Sequence, residues 1–198
     1  MPAWVAEAER IDRAVYAAVA GTSTPALDGA MRRLSHAADY SKLSIASSAV
    51  LAVAGGRKGR AAAASGLASL AATATFVNVV VKYASRRRRP DRTVEGVVPE
   101  RHVKMPSSPS FPSGHTAAAV AFASGVGRVL PLASVPLHCL AALVGYSRVH
   151  TGVHYPGDVV AGALLGAVIS DLTAGAVSFR GRSRPGSRRR RIARRRTP

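Results

Sequence analysis

Residues 61–81 (AAAASGLASLAATATFVNVVV) contain no charged side chain. As an α-helix at about 1.5 Å per residue they reach roughly 31 Å, the thickness of a bilayer core. Inside lipid such a segment must satisfy its own backbone, so helix is the only open-ended choice. The run is rich in Ala, Gly, Ser and Thr, which let membrane helices approach closely. Four more apolar runs follow the same logic: 41–56, 114–127, 129–147 and 159–179, the last interrupted only by Asp171. An all-α polytopic bundle of five to six spans is the expected fold. The formal net charge of +18 would otherwise suggest a nucleic-acid binder. Because 47% of the residues are hydrophobic, the charges must be segregated from the apolar runs, as a bilayer demands.

Residues 1–40 differ. Ile11, Val15, Ala18 and Val19 recur at helical spacing beside Glu9, Arg10 and Arg13, and Leu27, Met31 and Leu34 do so beside Arg32 and Arg33. Both patterns predict amphipathic helices at the membrane interface. Residues 41–179 form the transmembrane domain, and residues 180–198, with ten arginines, read as a disordered cytoplasmic tail facing anionic lipids. The tail lacks the interleaved aromatics that stack on bases, so no nucleic-acid partner is expected. Cys139 reads as a small buried hydrophobe. Residues 57–60 (RKGR) read as a short basic loop between the runs 41–56 and 61–81, and this loop and the tail are cytoplasmic by the positive-inside rule. The connections 82–113 and 148–158 then meet on the extracytoplasmic face, where the cluster Arg86–Arg89 breaks the charge rule. Binding an anion would be a reason.

Three segments on that face suit a phosphate ester. Lys82, Arg89 and Arg148 supply cations, the arginines with a planar fork that matches phosphate oxygens. Ser113 and Gly114 open an apolar helix whose free N–H groups and dipole favour an anion, and Gly114 leaves room for one. His154 and Asp158 are four apart, with Pro156 between them suited to the first turn of a helix, so the carboxylate can hold one imidazole tautomer and free the other nitrogen as nucleophile. His115, from another segment, is the candidate general acid. No carboxylate cluster predicts a metal site, and no cofactor is expected.

The order Lys82-x6-Arg89-Pro90, Pro112-Ser113-Gly114-His115, Ser147-Arg148-x5-His154-x3-Asp158 resembles the three-part signature of the type 2 phosphatidic-acid phosphatase superfamily. That superfamily includes bacterial lipid phosphatases, soluble acid phosphatases and vanadium haloperoxidases. The resemblance implies a phosphohistidine at His154, support from Asp158, proton donation by His115, and phosphate binding by Lys82, Arg89, Arg148, Ser113 and Gly114. The substrate it implies is a lipid phosphate monoester or diphosphate. The competing readings are a vanadate-dependent haloperoxidase and a non-catalytic membrane adaptor acting through its Arg tail. Arg86, Arg87 and Arg88 read as a solvated or headgroup-facing run, and His150 and His102 as minor candidates for substrate or supporting contacts.

Overall fold

The computed structural model describes residues 2–94 and 96–182. Most of the expected Arg-rich tail, residues 183–198, lies outside the described residues. The elements are α1 (Ala3–Gly21), α2 (Pro25–Ala37), a 3-10 turn (Asp39–Ser41), α3 (Lys42–Ala54), α4 (Gly56–Phe76), a π-helical stretch (Val77–Val81), α5 (Lys82–Ala84), a second 3-10 turn (Pro99–Arg101), α6 (Gly114–Gly127), α7 (Pro131–His150) and α8 (Pro156–Arg182). No strand occurs among the described residues. The five apolar runs of the sequence fall on α3, on α4 with its π-helical continuation, and on α6, α7 and α8.

Among the described residues, three helices are long and apolar enough to cross a bilayer: Gly56–Ala84, which joins α4 to α5, Pro131–His150 and Pro156–Ala174. At 13 and 14 residues, α3 and α6 are shorter than the roughly 17–25 residues a full span takes. Short α6 is the centre of the bundle, packed against α4, α7 and α8. Small residues permit this. A Cβ on Gly125 would meet Ser65 O and Ser69 Oγ of α4 at 2.7 Å, and one on Gly166 would meet Ala117 O of α6 at 2.3 Å. Hydroxyls trapped at these contacts find partners, as Ser65 Oγ donates to Gly125 O at 2.7 Å and Ser170 Oγ to Ser69 Oγ at 3.2 Å.

Direction follows from the pairs. Ser65 near the start of α4 meets Gly125 near the end of α6, so these helices are antiparallel. Arg128, just past α6, pairs with Asp171 far along α8, while Ser113 N donates to Asp158 O at 2.9 Å at their starts, so α6 and α8 run parallel. Consequently the starts of α6 and α8 and the ends of α5 and α7 gather at one end of the bundle.

Two local expectations are corrected. Residues 57–60 are not a loop: α4 begins at Gly56, and only Gly55 separates it from α3. A Cβ on Gly59 would meet Leu51 O at 2.0 Å, so bare glycine lets the two helices turn back without a connector. Cys139 is exposed rather than buried, on the outer face of α7. The N-terminal helices are amphipathic as expected, and they also pack on the protein. Tyr16 of α1 and Ser35 of α2 are fully buried, against the α7–α8 end of the bundle.

Candidate active site

The α7–α8 connection is built by chain-reversal chemistry. Gly152 takes φ +67 just beyond α7, a conformation that side chains resist, and His154 N donates to Arg148 O at 3.1 Å to close the turn. Pro156 then opens α8 with a preset φ. The reversal drops His154 against the first turn of α8, and its ring is 2% exposed.

Asp158, fully buried, is the hub. Its Oδ2 lies 3.4 Å from His154 Nδ1, accepts from Tyr155 N at 2.9 Å and receives the Ser110 hydroxyl; its Oδ1 accepts from Arg87 Nη1 at 2.8 Å. A carboxylate at Nδ1 selects the tautomer protonated there and leaves the Nε2 lone pair directed away. That Nε2 faces Arg89 Nη1 at 3.3 Å. Burial above all, with the nearby Arg89 charge, holds the His154 pKa at about 4 against the pull of Asp158, so the ring is neutral at pH 7.

The cations converge on the same spot. Arg89 is anchored by carbonyls, donating to Ser108 O and Val153 O, both at 2.9 Å, and to Pro109 O at 3.2 Å. Arg148, 2% exposed, donates to Ser35 Oγ at 2.6 Å, while its buried Nε has no hydrogen-bond partner among the described residues. Such an orphan donor costs about 1–3 kcal/mol or more, which an anion bound beside it would recover. Lys82 follows the π-helical stretch, a local widening that re-aims the residues after it. Its Nζ donates to Ser108 Oγ at 3.3 Å and would lie 3.7 Å from a Cβ on Gly114. Gly114 is thus the open floor beneath the ammonium. Ser113 is buried with its hydroxyl 2.9 Å from Thr116 Oγ1 and its N–H tied to Asp158 O. In this arrangement Ser113 braces α6 on α8.

His115 stands apart from Asp158. Its Nε2 lies 3.0 Å from Asp39 Oδ1, which is also 3.8 Å from Arg148 Nη1. Asp39 sits on the turn between α2 and α3, where Tyr40 (φ 55) and Ser41 (φ 58) are consecutive left-handed non-glycine residues. That conformation costs roughly 1–2 kcal/mol per residue. A cavity of about 440 Å³ opens beside His115 and Arg148, bounded by this turn and by the 104–108 loop.

All eight residues singled out from the sequence lie at this one end. Sequence reasoning missed Ser110, Asp39, Ser35 and Asp12. It also misread Arg87, expected in a solvated run. Arg86 and Arg88 are exposed while Arg87 and Arg89 turn inward, so alternation along an irregular segment splits four identical side chains into two pairs. Arg87 Nη2 donates to Asp12 Oδ2 at 2.6 Å, and its guanidinium lies 4.4 Å from the Tyr155 ring centroid. Burial disfavours its charge, but Asp12 and Asp158 outweigh that and raise its pKa. Asp12 also accepts from Gly157 N at 2.6 Å, so α1 clamps the start of α8. A usable signal was present: with 10 acidic residues against 28 Lys and Arg, every acid has several cations competing for it.

His150 and His102 lie outside the constellation. His150 Nε2 is 3.0 Å from Asp28 Oδ1, which also accepts from Arg101 Nε at 2.8 Å, a buried tie between α2, α7 and the 99–101 turn. Burial pushes the Asp28 carboxyl up, yet donors from Thr24, His150 and Arg101 bring it below the usual range. His102 Nε2 is 2.9 Å from Val97 O within its own loop.

A family model described as the PAP2 superfamily matches residues 63–182. Over 153 residues the chain is 39% identical to decaprenylphosphoryl-5-phosphoribose phosphatase of Mycolicibacterium smegmatis, covering 75% of this chain and 77% of that protein. It is 38% identical over 112 residues to the Mycobacterium tuberculosis protein of the same name, covering 54% of this chain and only 58% of that protein. A crystal structure of a transmembrane PAP2-type phosphatidylglycerolphosphate phosphatase from Bacillus subtilis superposes with a TM-score of 0.66 at 26% identity, covering 87% of each chain.

Proposed function

Within the PAP2 superfamily, to which this chain belongs, we propose an integral-membrane phosphatase that hydrolyses a phosphate ester or diphosphate of a polyprenyl-linked lipid through a phosphohistidine. The observation that carries the reading is the pairing at His154: a neutral ring, Nδ1 held by Asp158, and Nε2 turned toward Arg89. No metal is needed in this scheme, because Lys82, Arg89 and Arg148 surround the position that a phosphoryl group in line with Nε2 would take.

The steps balance as follows. His154 Nε2 forms an N–P bond as the P–O bond to the lipid alcohol breaks. His115, held neutral by burial and the Arg148 charge, takes up a proton with the anionic substrate and passes it to the departing oxygen. Charge on the equatorial phosphoryl oxygens falls on Lys82, Arg89, Arg148 and the start of α6 at Gly114. Asp158 stabilises the imidazolium character that grows on His154, and Arg87 holds that carboxylate in position. Water then attacks phosphorus, His115 takes its proton, and the N–P bond breaks to release phosphate and neutral His154.

The lipid assignment draws on the three apolar helices and on the names of the mycobacterial relatives, which act on a decaprenyl-linked phosphosugar. Sidedness draws on charge. The end of the bundle opposite the site carries Arg57, Lys58, Arg60 and Arg128, which supports a cytoplasmic position for that end and an extracytoplasmic one for the site. The test is phosphate release by detergent-purified protein from polyprenyl and glycerolipid phosphates in the presence of a chelator. Full activity in His154→Ala, or failure to trap an acid-labile phosphoenzyme on wild type, overturns the mechanism.

A further inference from the structure

Helix α1 has three faces rather than two. At about 100° per residue, Asp12, Tyr16 and Val19 fall on the side packed against the bundle, and Glu7, Arg10 and Arg13 form an exposed polar side. Trp4, Ala8, Ile11 and Val15, at i, i+4, i+7 and i+11, make a third stripe that is apolar yet exposed, Trp4 by 74% and Ile11 by 56%. This stripe walls a groove of about 480 Å³ together with Phe111 and Pro156, and Asp12 and Arg87 line it as well. Among the described residues, the groove shares no lining residue with the cavity beside His115. It reaches Asp158 only through Arg87, which holds Oδ1 while His154 faces Oδ2.

What covers the groove follows from its continuation. Along α8, Val160, Leu164, Val168 and Leu172 are exposed at four-residue spacing on a helix long and apolar enough to span a bilayer. Pro156 stands one turn before Val160, so the groove opens onto this lipid-facing stripe. Hydrocarbon that covers the stripe therefore reaches the groove, and tryptophan at such a boundary is the side chain that membrane interfaces favour. We propose that an acyl chain of a bilayer phospholipid occupies the groove and, by seating α1, holds the Asp158 carboxylate in place. The link is Arg87, which donates to Asp12 at 2.6 Å and to Asp158 at 2.8 Å, while Asp12 also accepts from Gly157 N at 2.6 Å. Lifting α1 takes Asp12 from both partners and leaves Arg87 without the anchor that aims it at Asp158. Arg87 and Asp12 are thus positioning residues, and their effect on catalysis rests on the phosphatase reading above; the lipid contact itself does not.

Trp4 is the only tryptophan in the chain, so its fluorescence reports the groove directly. The full-length protein is placed in nanodiscs of phosphatidylcholine, with or without bromine midway along the acyl chains. Hydrolysis of p-nitrophenyl phosphate, which brings no lipid chain of its own, is followed in the same samples. Wild type should lose most of its Trp4 fluorescence to the brominated lipid. Ile11→Asp, which charges the stripe away from the site, should escape that quenching and lower kcat about fivefold with KM within about twofold. Val15→Asp should repeat both changes, and Ile11→Leu should keep the wild-type values. Unquenched Trp4 in wild type, whether it faces water or a second copy of the chain, overturns the lipid contact and leaves the phosphatase intact. Quenching relieved by a short-prenyl phosphate assigns the groove to the substrate's own chain and overturns the proposal likewise. Quenching lost in Ile11→Asp and Val15→Asp with kcat unchanged overturns the link to Asp158. Absence of phosphate release by a wild type whose Trp4 is quenched overturns the phosphatase reading and leaves the lipid contact standing.

Discussion

The two halves of the site are built to different standards. Around His154 and Asp158 everything is closed: side-chain exposures are 2% and 0%, and both Asp158 oxygens have partners drawn from three segments. Around His115 and Asp39 the side chains are 26% and 34% exposed, and a cavity opens directly onto them. A nucleophile at His154, as proposed, must be aligned before substrate arrives, so rigidity and desolvation serve it. An acid at His115, as proposed, must meet a leaving group that enters and departs, and it stands at an opening. One half supplies geometry and the other access.

The largest expected effect breaks the closed half. His154→Ala removes the nucleophile and should lower kcat by about 10⁴-fold or more, measured as phosphate release, with no phosphoenzyme trapped. Next comes the open half. His115→Ala should cost about 10²–10⁴-fold with an alkyl leaving group but far less with p-nitrophenyl phosphate, whose leaving oxygen needs no proton. Equal losses on both substrates would deny His115 the role of acid.

Arg87→Ala tests whether the closed half depends on α1. It leaves Asp158 and Asp12 without their shared cation, and kcat should fall by about tenfold with little change in KM, Arg87→Lys recovering part. The effects of Asp12→Asn and Arg87→Ala should be strongly non-additive, since both cut one link. The smallest effect is in pH. With His154 held at about 4 rather than its ordinary 6.5, the acid limb of kcat/KM that reports this group should lie well below 6. Arg89→Ala removes a repelling charge and should move that limb upward. The stability linkage has the same sign. A base depressed in the folded state favours folding fully above pH 6.5, and that contribution is lost as the pH falls toward 4, a trend visible in thermal unfolding.

How much of this was readable depends on range. His154 and Asp158 are one helical turn apart, and the helical period alone brings them together. The apolar runs likewise announced α3 to α8, because a bilayer leaves the backbone no other solution. Arg87 was not readable: it lies between arginines of identical composition, and its partners Asp12 and Asp158 are 75 and 71 residues away. Asp39 meets His115 across 76 residues and Ser110 meets Asp158 across 48, with no periodicity to signal either pairing.

By itself, then, the sequence determined the helical membrane architecture, the pairing of His154 with Asp158 proposed as nucleophile and support, and the cations proposed to hold phosphate. These depend on hydrophobic length and on spacing within one helix, which are local properties. The tertiary structure alone decided which arginine supports Asp158, that α1 and the α2–α3 turn pack against the site, and that His115 stands at an open cavity. Those outcomes depend on which rare acidic residue reaches which buried cation once the helices pack, and that distance exists only in three dimensions.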